Sequence, residues 1–375
     1  MNLVRSTARR PRALVRRGVI VGMISGALLA GDHAAQAALP DQPDRRQVGF
    51  NNTVFALLRL GSTIYVGGAF TSAILPDGTS VTRNRLAAID AGSGSLLPWN
   101  PSASDTVFAL TGDTAAGTLY VGGRFLTVGG VTRTRLAAFD SSGSLLPWAP
   151  GTGGPVRGMD LAADGTLYVG GNFTSAGGSS RLRLAAFDAA SGALRPWAPR
   201  ADATVRDVEV DGDVFVGGDF ATISGVSTGH VARIRPDGSV VTWADSVVEP
   251  VFALTVDGGR VYSAAGGSGG QVYAHNALTG ARAWRRHGDG DVQSIDYVPS
   301  ENSVVAGGHF EHWAGVDRRW AVELRASDGT MTGWGPTLNR GPWAVHATAT
   351  RLYLGGRFTR ISGVTARRFA QWSLA

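Results

Sequence analysis

Short apolar segments, separated by turns rich in glycine and polar residues, follow one another from about residue 50 onward. One apolar run ends in two small residues, usually followed by any residue and then phenylalanine, and it occurs seven times. The first small residue of each copy lies at 67, 122, 170, 217, 264, 307 and 355, so the spacings are 55, 48, 47, 47, 43 and 48 residues. A period in the forties built from short β-like segments is typical of propeller blades. The pattern therefore predicts a repeat protein whose unit is one blade.

The second copy shows the predicted elements of this unit. Residues 106–110 and 118–123 form the first and second strands, residues 135–139 the third, and residues 144–148 the fourth. The turn before the fourth strand begins with Asp140, a residue type that bonds its own backbone in turns. Four short strands joined by Gly- and Asp-rich turns make one antiparallel blade.

Two recurring features have a structural interpretation. The glycine pair removes side chains where sheets or loops approach closely. A large indole ring near each fourth strand can seal the seam between neighbouring blades. These tryptophans are Trp99, Trp148, Trp197, Trp243, Trp284 and Trp334.

The seventh copy ends after the segment that aligns with the third strand, residues 368–372, and lacks a fourth strand. Residues 45–50, ahead of the first copy, are free to supply it. A ring closed by strands from both ends leaves no exposed sheet edge. The sequence therefore predicts an all-β fold over residues 45–375. It is a seven-bladed β-propeller of four-stranded antiparallel blades, closed by an N-terminal strand that completes the last blade.

Residues 1–37 have the features of a secretory signal peptide. Six arginines precede an apolar run over 19–30, and Ala35-Gln36-Ala37 offers a small-residue cleavage site. We predict a signal peptide over 1–37, a short linker over 38–44, and a secreted or extracytoplasmic protein with no membrane span after leader removal. The paired arginines leave both the general and the twin-arginine export routes open.

Composition excludes several classes of chemistry. The chain has no cysteine and no lysine, which excludes disulfides, thiolate metal sites, cysteine nucleophiles and lysine Schiff bases. Removing residues 1–37 leaves 29 arginines against 28 acidic residues, so the net charge falls from +6 to +1. This near-neutral body offers no clustered basic face, so no nucleic-acid partner is predicted. The predicted oligomeric state is a monomer.

With its copies aligned, the chain resembles the delta-60-repeat β-propellers, exported bacterial repeats of unknown function. The likeness is carried by Gly122-Gly123-Arg124-Phe125, Arg135-Leu136-Ala137 and Trp148-Ala149-Pro150, and it extends over about residues 52–375. The resemblance implies a propeller and export, and it implies no catalytic residues. Residues 274–284 are similar to the docking motif of quinoprotein propellers. Those enzymes typically have eight blades and many have a vicinal cysteine pair, and this chain has seven copies and no cysteine.

Residues present in every copy are interpreted as structural, and polar residues that vary are the better functional candidates. This test assigns Asp90, Asp140 and Asp188 to turns. It assigns the arginines before the third strands to bracing of loop carbonyls, which suits a fork of five donors. These arginines are Arg85, Arg135, Arg183, Arg319 and Arg368.

The position after the glycine pair varies from copy to copy. It is Ala69 in the first copy and has no clear equivalent in the fifth, and the predicted binding residues at the other five copies are Arg124, Asn172, Asp219, His309 and Arg357. We expect several of them to ring one mouth of the central channel, where a mixed polar ring suits a binding site. The alternative is that they are exposed strand ends where any polar residue is tolerated.

Copies five and six carry a denser polar cluster: His287, Asp289, Asp291, His309, Glu311 and His312. Imidazoles with carboxylates are candidates for a divalent metal site or for acid–base chemistry. The spacing matches neither a zinc motif nor a calcium loop, so solvated loop residues are the simpler interpretation. No other cofactor is predicted.

Two function classes follow from these observations. The leading hypothesis is an exported, non-catalytic binding or scaffold module for a protein or glycan partner. The alternative is a propeller hydrolase or lyase acting on carbohydrate, with its site around His309 and Glu311. A quinone-dependent dehydrogenase is a third hypothesis.

Overall fold

A computed structural model describes residues 39–44, 47–257, 259–267 and 269–374. The predicted signal peptide lies outside the described residues, as do positions 45 and 46 of the predicted closing strand. Within the described part, no helix is long and apolar enough to cross a membrane.

The described chain is built from short β-strands in seven successive groups that correspond to the copies of the repeat. The first three groups are β1 (Gly49–Phe50), β2 (Val54–Leu60), β3 (Thr63–Gly68), β4 (Ser72–Ile74), β5 (Ser80–Thr82) and β6 (Leu86–Asp90); β7 (Val107–Asp113), β8 (Thr118–Gly123), β9 (Thr127–Val128), β10 (Val131–Thr132) and β11 (Leu136–Phe139); and β12 (Val156–Leu161), β13 (Thr166–Gly171), β14 (Ser175–Ala176), β15 (Ser179–Ser180) and β16 (Leu184–Asp188).

The fourth and fifth groups are β17 (Val205–Asp211), β18 (Asp213–Gly218), β19 (Thr222–Ile223), β20 (Val226–Ser227), β21 (Val231–Ile234) and β22 (Val240–Val241); and β23 (Val251–Asp257), β24 (Arg260–Ala265), β25 (Gln271–Asn276) and β26 (Arg282–His287). The last two are β27 (Val292–Val298), β28 (Ser303–Gly308), β29 (His312–Trp313), β30 (Val316–Asp317) and β31 (Ala321–Arg325); and β32 (Pro342–Ala347), β33 (Arg351–Gly356), β34 (Arg360–Ile361), β35 (Val364–Thr365) and β36 (Phe369–Ser373).

Each group forms one antiparallel sheet, numbered here in chain order. Sheets 1 to 7 are β2-β3-β6, β7-β8-β11, β12-β13-β16, β17-β18-β21-β22, β23-β24-β25-β26, β27-β28-β31 and β32-β33-β36. Small outer hairpins such as β9-β10 stand between the second and third strands, and β1 joins the outer hairpin β4-β5. Among the described residues no strand connects one large sheet to the next, so the structure contains no closed sheet.

The first strands of successive sheets pack side by side. Strand β2 contacts β7, β7 contacts β12, and the series continues through β17, β23 and β27 to β32, which contacts β2. Separate antiparallel sheets arranged radially in this way form an all-β propeller.

The glycine pair provides the space that this packing needs. A Cβ on Gly122 would lie 2.7 Å from Cγ1 of Val156 in the next sheet, and a Cβ on Gly355 would lie 2.5 Å from Cγ1 of Val54. A Cβ on Gly123 would overlap the carbonyl oxygen of Thr106 in its own sheet. The predicted role of the glycine pair in close approach is therefore confirmed.

The recurring tryptophans bridge the seams between sheets. Trp99 Nε1 donates to the Gly143 carbonyl at 2.9 Å, and Trp284 Nε1 donates to the Ala326 carbonyl at 3.0 Å, in each case in the following copy. Trp148 and Trp197 make the same contact with the turns of the copies that follow them. The predicted sealing of the seams is confirmed at these four positions. Trp284 belongs to the segment similar to the quinoprotein motif, and it makes the same seam hydrogen bond as Trp99, Trp148 and Trp197.

The prediction of four strands in every blade is wrong for most sheets. Sheets 4 and 5 have four strands, whereas the others have three. In sheets 1, 2 and 3 the fourth segment is reduced to single bridges at Leu96, Leu145 and Leu194. A proline stands two residues after each of these leucines, at 98, 147 and 196. Proline has no N–H to donate to a ladder, which explains why these segments stop pairing.

The N-terminal segment also differs from the prediction. Gly49–Phe50 pairs with β4 of the first outer hairpin rather than extending sheet 7. The Phe50 ring is fully buried with its centroid 4.3 Å from that of Phe70, which draws the strand toward the first copy. Two backbone hydrogen bonds still reach the seventh sheet, from Asp44 N to the Gln371 carbonyl and from Phe50 N to the Arg367 carbonyl.

Residues 39–44, predicted as a linker, pack against the seventh sheet. Leu39 is buried in a cluster with Trp334 and Trp372, and the Asp44 carboxylate accepts a hydrogen bond from Arg351. Trp334 Nε1 donates to the Pro40 carbonyl at 3.2 Å.

Three of the five arginines before the third strands brace loops, as predicted. Arg135, Arg183 and Arg368 each donate from Nη1 to a loop carbonyl, those of Thr152, Ala201 and Phe50. These arginines have positive φ values near 67°, a strained conformation for a residue with a side chain. In the sixth copy the residue in this conformation is Trp320 rather than the predicted Arg319.

Candidate functional site: the channel mouth

The first strand of every large sheet contains a β-bulge at its second residue. The register shifts lie between Val54 and Ala56 in sheet 1 and at the equivalent place in the other six sheets. A bulge leaves one extra residue unpaired and redirects its side chain. All seven bulged residues line one central cavity of about 450 Å³. We call them the mouth ring: Phe55, Phe108, Arg157, Arg206, Phe252, Gln293 and Trp343.

Aromatic side chains form a continuous arc on one side of the mouth ring. The Phe55 ring centroid lies 5.4 Å from that of Phe108 and 5.6 Å from that of Trp343, both with edge-to-face geometry. Such pairs are favourable arrangements of aromatic quadrupoles. We call Trp343, Phe55 and Phe108 the aromatic arc.

The two arginines of the mouth ring stack on phenylalanines. The Arg157 guanidinium carbon lies 4.2 Å from the Phe108 centroid, and that of Arg206 lies 4.7 Å from the Phe252 centroid. A cation over an aromatic face is attracted by the ring quadrupole. The stacking also fixes the plane in which each guanidinium presents its donors.

The charges around these arginines are unevenly balanced. Arg206 Nε lies 2.7 Å from Asp219 Oδ1, and Arg124 Nε lies 3.5 Å from Asp105 Oδ2. In the described part of the chain, no carboxylate lies within ion-pair distance of Arg157, and its buried Nε has no hydrogen-bond partner. Burial, and then the positive charges of Arg206 and Arg124, lower the pKa of Arg157. Among the described residues, Arg157 and Arg357 are thus the arginines at the mouth that have no ion pair, and the nearby Asp219 offsets the charge of Arg157 only in part.

Three of the five predicted binding residues contact the mouth ring. Asp219 pairs with Arg206, the His309 ring lies 5.8 Å from the Trp343 ring, and the Arg357 guanidinium carbon lies 5.4 Å from the Trp343 centroid. Burial and the nearby Arg357 charge lower the pKa of His309, which favours its neutral form.

The other two predicted binding residues lie outside this set of contacts. Arg124 is exposed and pairs with Asp105 beside the ring. Asn172 is exposed, and its side chain makes no hydrogen bond to the residues that the structure describes.

The predicted metal or acid–base cluster is not assembled as one site. Its closest pair is His312 Nδ1 and Asp289 Oδ2 at 2.7 Å, and Asp289 also accepts the backbone N–H groups of Glu311 and His312. The backbone hydrogen bond from His312, together with its side chain, lowers the pKa of Asp289 to about 2. Asp289 therefore caps its own loop, which leaves its oxygens occupied.

The remaining members of the cluster point to other partners. Asp291 accepts a hydrogen bond from Gly267 N, His309 packs on Trp343, and His287 ends β26 opposite Gln271. No group of three His, Asp or Glu side chains among the described residues is arranged to hold a metal ion. Within the part of the chain that the structure describes, His309 and Glu311 likewise form no hydrogen-bonded pair that could perform acid–base chemistry.

A second ring of side chains lies deeper in the same cavity, three residues after each bulged residue, and sequence reasoning did not find it. We call it the inner ring: Leu58, Thr111, Asp160, Glu209, Thr255, Asp296 and His346. Asp207, directly after Arg206, adds one more carboxylate.

The aspartates of this region tie neighbouring sheets together. Asp160 in sheet 3 accepts the Thr111 hydroxyl from sheet 2 at 3.1 Å and the Val210 N–H from sheet 4 at 2.9 Å. Asp296 in sheet 6 repeats this arrangement with the Thr255 hydroxyl at 3.0 Å and the Ala347 N–H at 2.8 Å.

Two further side chains make similar ties. Asp207 in sheet 4 accepts the Leu254 N–H from sheet 5 at 2.8 Å. The N–H of Arg59 in sheet 1 lies 3.1 Å from His346 Nε2 in sheet 7, where the imidazole nitrogen acts as the acceptor. Each tie satisfies a backbone donor on the channel-facing edge of a first strand.

Burial shifts the pKa values of these groups strongly. It raises the pKa of Asp207 to about 7 and that of Asp296 to about 6, and it raises that of Glu209 well above its usual range. Burial and the Arg59 charge lower the pKa of His346 to about 4. Glu209 makes no hydrogen bond to described residues, whereas the aspartates are occupied as acceptors between sheets.

The comparisons with known proteins agree on the fold. Residues 117–145, 162–194 and 211–240 match the family model described as "Domain of unknown function (DUF5122) beta-propeller". No curated protein matches the chain.

Solved structures share the architecture at low sequence identity. The structure of U3-55K is 11% identical, covers 89% of this chain and 100% of its own, and has a TM-score of 0.63. The structure of the RRP9 WD40 repeats is 11% identical, covers 88% of this chain and 98% of its own, and has a TM-score of 0.62. The WD40 β-propeller domain of Doa1 is 13% identical, covers 87% of this chain and 94% of its own, and has a TM-score of 0.57.

Such identities show a common fold and nothing about ligand or activity. The three matched segments belong to the second, third and fourth copies, which are among those that carry the resemblance found in the sequence. Three segments of the chain thus match the repeat model of a β-propeller domain of unknown function, DUF5122.

Proposed function

We propose that the protein is an exported seven-bladed β-propeller, closed by its N-terminal segment, that binds a protein or glycan partner without catalysis. The mouth ring is the binding surface. One observation carries the binding proposal: bulges in all seven first strands direct aromatic and arginine side chains to one mouth, where the charge of Arg157 has no partner. A concave site with an apolar wall and a few polar groups is typical of ligand binding.

The contacts of the N-terminal segment support closure. Trp334 donates to the Pro40 carbonyl, where the earlier tryptophans donate to a turn of the following copy. Residues 39–44 thus stand in for the missing outer part of the seventh copy. Gly355 packs on Val54, as glycines of the other pairs pack on the sheet that follows them.

A Leu39→Ala variant tests closure. Leu39 is 6% exposed among Trp334 and Trp372, so its truncation is expected to lower the free energy of unfolding by about 2–3 kcal/mol. The measurement is urea unfolding followed by tryptophan fluorescence. Val316→Ala is the control, since Val316 is 46% exposed and its truncation is expected to change little. Equal stability of the Leu39 variant and the native protein would count against closure.

The non-catalytic part of the proposal is supported by the use of the inner aspartates as sheet ties. Asp160, Asp207 and Asp296, whose pKa values are all raised by burial, accept backbone N–H groups from neighbouring sheets. The carbohydrate hydrolase or lyase hypothesis was centred on His309 and Glu311, and no observation at those residues favours it.

A binding screen tests the function. The purified protein is applied to a glycan array and to a peptide library, and any ligand found is titrated against Trp343→Ala and Leu278→Ala. Leu278 is 68% exposed on the turn between β25 and β26, at the opposite end of the strands from the mouth. We expect saturable binding that weakens roughly tenfold in Trp343→Ala, because a central aromatic anchor is lost, and stays unchanged in Leu278→Ala. Absence of any saturable ligand in both collections would refute the proposal.

A further inference from the structure

We propose that the mouth ring recognises a glycan that carries carboxylate groups. Arg157 holds the carboxylate, and the aromatic arc holds the face of the sugar ring. This inference rests on the proposed binding function and narrows it to one chemical class.

The charge balance of the mouth identifies the group that Arg157 takes. Its neighbours Arg124 and Arg206 each have a carboxylate of their own, and Arg157 has none in the described structure. A partly buried cation without a partner is unfavourable. A guanidinium presents planar donors that match a carboxylate in a bidentate pair. A ligand carboxylate would supply the missing charge and would accept hydrogen bonds from the two terminal nitrogens of the guanidinium.

The position of Arg157 is prepared for this contact. Its guanidinium is stacked 4.2 Å above Phe108, so the plane of the fork is set before a ligand arrives. A group that is already ordered loses less conformational entropy on binding.

The aromatic arc supplies the second half of the site. Its three rings are joined edge to face and form one apolar wall that ends at Phe108, the ring under Arg157. A pyranose ring offers a face of C–H groups to such a wall while its hydroxyls remain at the polar rim. A uronate residue combines that face with a carboxylate, so a single sugar unit spans both parts of the site.

The floor of the cavity limits how deep the acidic group can go. Asp160 and Asp296 lie in the layer below, and their carboxylate oxygens accept hydrogen bonds, so a negative charge is favoured at Arg157 and disfavoured further in. The carboxylate therefore binds at the mouth.

An acidic peptide fits this surface less well. Extended peptides gain affinity by pairing with a free strand edge. The channel-facing N–H groups of Val210, Leu254 and Ala347 already donate to aspartates, and the first strands are arranged around a ring instead of along one edge. The mouth therefore lacks a backbone ladder for a peptide.

Isothermal titration with matched probes tests the inference. The probes are tetragalacturonate, tetramannuronate, fully methyl-esterified tetragalacturonate and a tetraglutamate peptide. The ester removes the charge and leaves the sugar chain unchanged. We expect at least one of the two uronates to bind, and its affinity to fall with added salt. If tetragalacturonate binds, its methyl ester should bind more weakly.

Variants assign the effect to Arg157. Arg157→Gln is expected to weaken uronate binding roughly tenfold to a hundredfold, because a charged hydrogen bond is lost. Arg157→Lys keeps the positive charge and loses the planar pair of guanidinium donors. Its affinity for uronate is expected to lie between that of the native protein and that of Arg157→Gln. The matched control is Arg319→Gln, since Arg319 lies on an outer loop and pairs with Asp317 at 3.3 Å. Circular dichroism and the urea midpoint verify that the variants fold.

The outcomes separate this inference from the proposed function. Equal binding of acid and ester, or unchanged affinity in Arg157→Gln, overturns the inference, while a loss in Trp343→Ala would still support binding at the mouth. Preference for tetraglutamate overturns the glycan class. Failure of both uronates to bind also overturns it, and the array screen then decides the proposed function by itself.

Discussion

The mouth ring and the inner ring lie three residues apart on the same seven strands, yet their polar groups are used in different ways. In the inner ring, Asp160 and Asp296 each accept hydrogen bonds from the sheets on both sides. In the mouth ring, Arg157 has neither a carboxylate nor a partner for Nε in the described structure. Both rings line one cavity, so their position alone does not distinguish a binding group from a structural one.

The difference shows how a channel-lining residue is best judged. A buried polar group whose hydrogen bonds are satisfied within the fold contributes to assembly of the fold. A group whose charge is left without a partner is the better candidate for contact with a ligand. On this basis Asp160, Asp296 and His346 of the inner ring hold the sheets together. Arg157 of the mouth ring and Glu209 of the inner ring are the groups left without such partners among the described residues. Three measurements test that separation.

The largest effect is expected when an inter-sheet tie is removed. Asp296→Ala leaves the Ala347 N–H without its acceptor, so the free energy of unfolding should fall by about 2–3 kcal/mol. The measurement is urea unfolding. The control is Asp317→Ala, because Asp317 belongs to an exposed pair with Arg319 and its loss should change stability by less than about 0.5 kcal/mol. If the two variants were equally stable, the inner ring would not act as a set of ties.

An intermediate effect is expected in the dependence of stability on pH. Burial raises the pKa of Asp207 to about 7, above its value in the unfolded chain, so the folded state holds a proton that the unfolded state releases. Its contribution to stability is therefore full below about pH 4 and is lost as the pH rises to about 7. His346, whose pKa is lowered to about 4, contributes the opposite slope over this range.

Comparison with Asp207→Asn isolates the carboxyl group of Asp207. We expect the native protein to lose stability relative to this variant between pH 4.5 and 7.5, because asparagine resembles the protonated acid and does not titrate. Urea unfolding of both proteins across the range provides the measurement. Parallel stability curves would show that Asp207 titrates normally in the fold.

The smallest effect is expected for the mouth. Arg157→Gln should change the free energy of unfolding by no more than about 1 kcal/mol, because Arg157 has no ion pair to lose and the substitution removes only its stacking on Phe108. Thermal and urea unfolding measure this effect. A destabilisation as large as that of Asp296→Ala would give the mouth ring a structural role and remove the distinction between the two layers.

Much of the fold could be predicted from the sequence because its causes are local and repeated. The repeat period predicts one sheet for each copy. The glycine pairs and the tryptophans predict where neighbouring sheets pack together, as Gly122 and Trp99 show. The fourth strands could not be predicted fully, since pairing at Leu145 is limited by Pro147 as well as by apolar character. The pairing of β1 with the outer hairpin β4-β5 depends on the packing of Phe50 on Phe70, a contact that exists only in the folded protein.

The site was predicted in part for similar reasons. The variable position after the glycines lies at the same end of the strands as the mouth ring, since Asp219, His309 and Arg357 contact that ring. That these residues bind a ligand stays a prediction. The same comparison of copies, applied to the second residue of each first strand, would have found the mouth ring itself. The inner ties could not be found this way, because the partner of Asp160 is Val210 on another sheet, and the register between sheets is set by packing.

The packing of residues 39–44 on the seventh sheet has a consequence for the order of folding. Asp44 and Arg351 are 307 residues apart in the chain, and their contact forms only when both segments are present. Contacts of such long range are slow to form because a large loop must close first. Each of the seven large sheets consists of strands from one continuous segment and can form locally, whereas the docking of residues 39–44 must wait for the strands of sheet 7. Until they meet, the apolar side chains of Leu39, Trp334 and Trp372, which bury one another in the folded protein, remain open to contact with other chains.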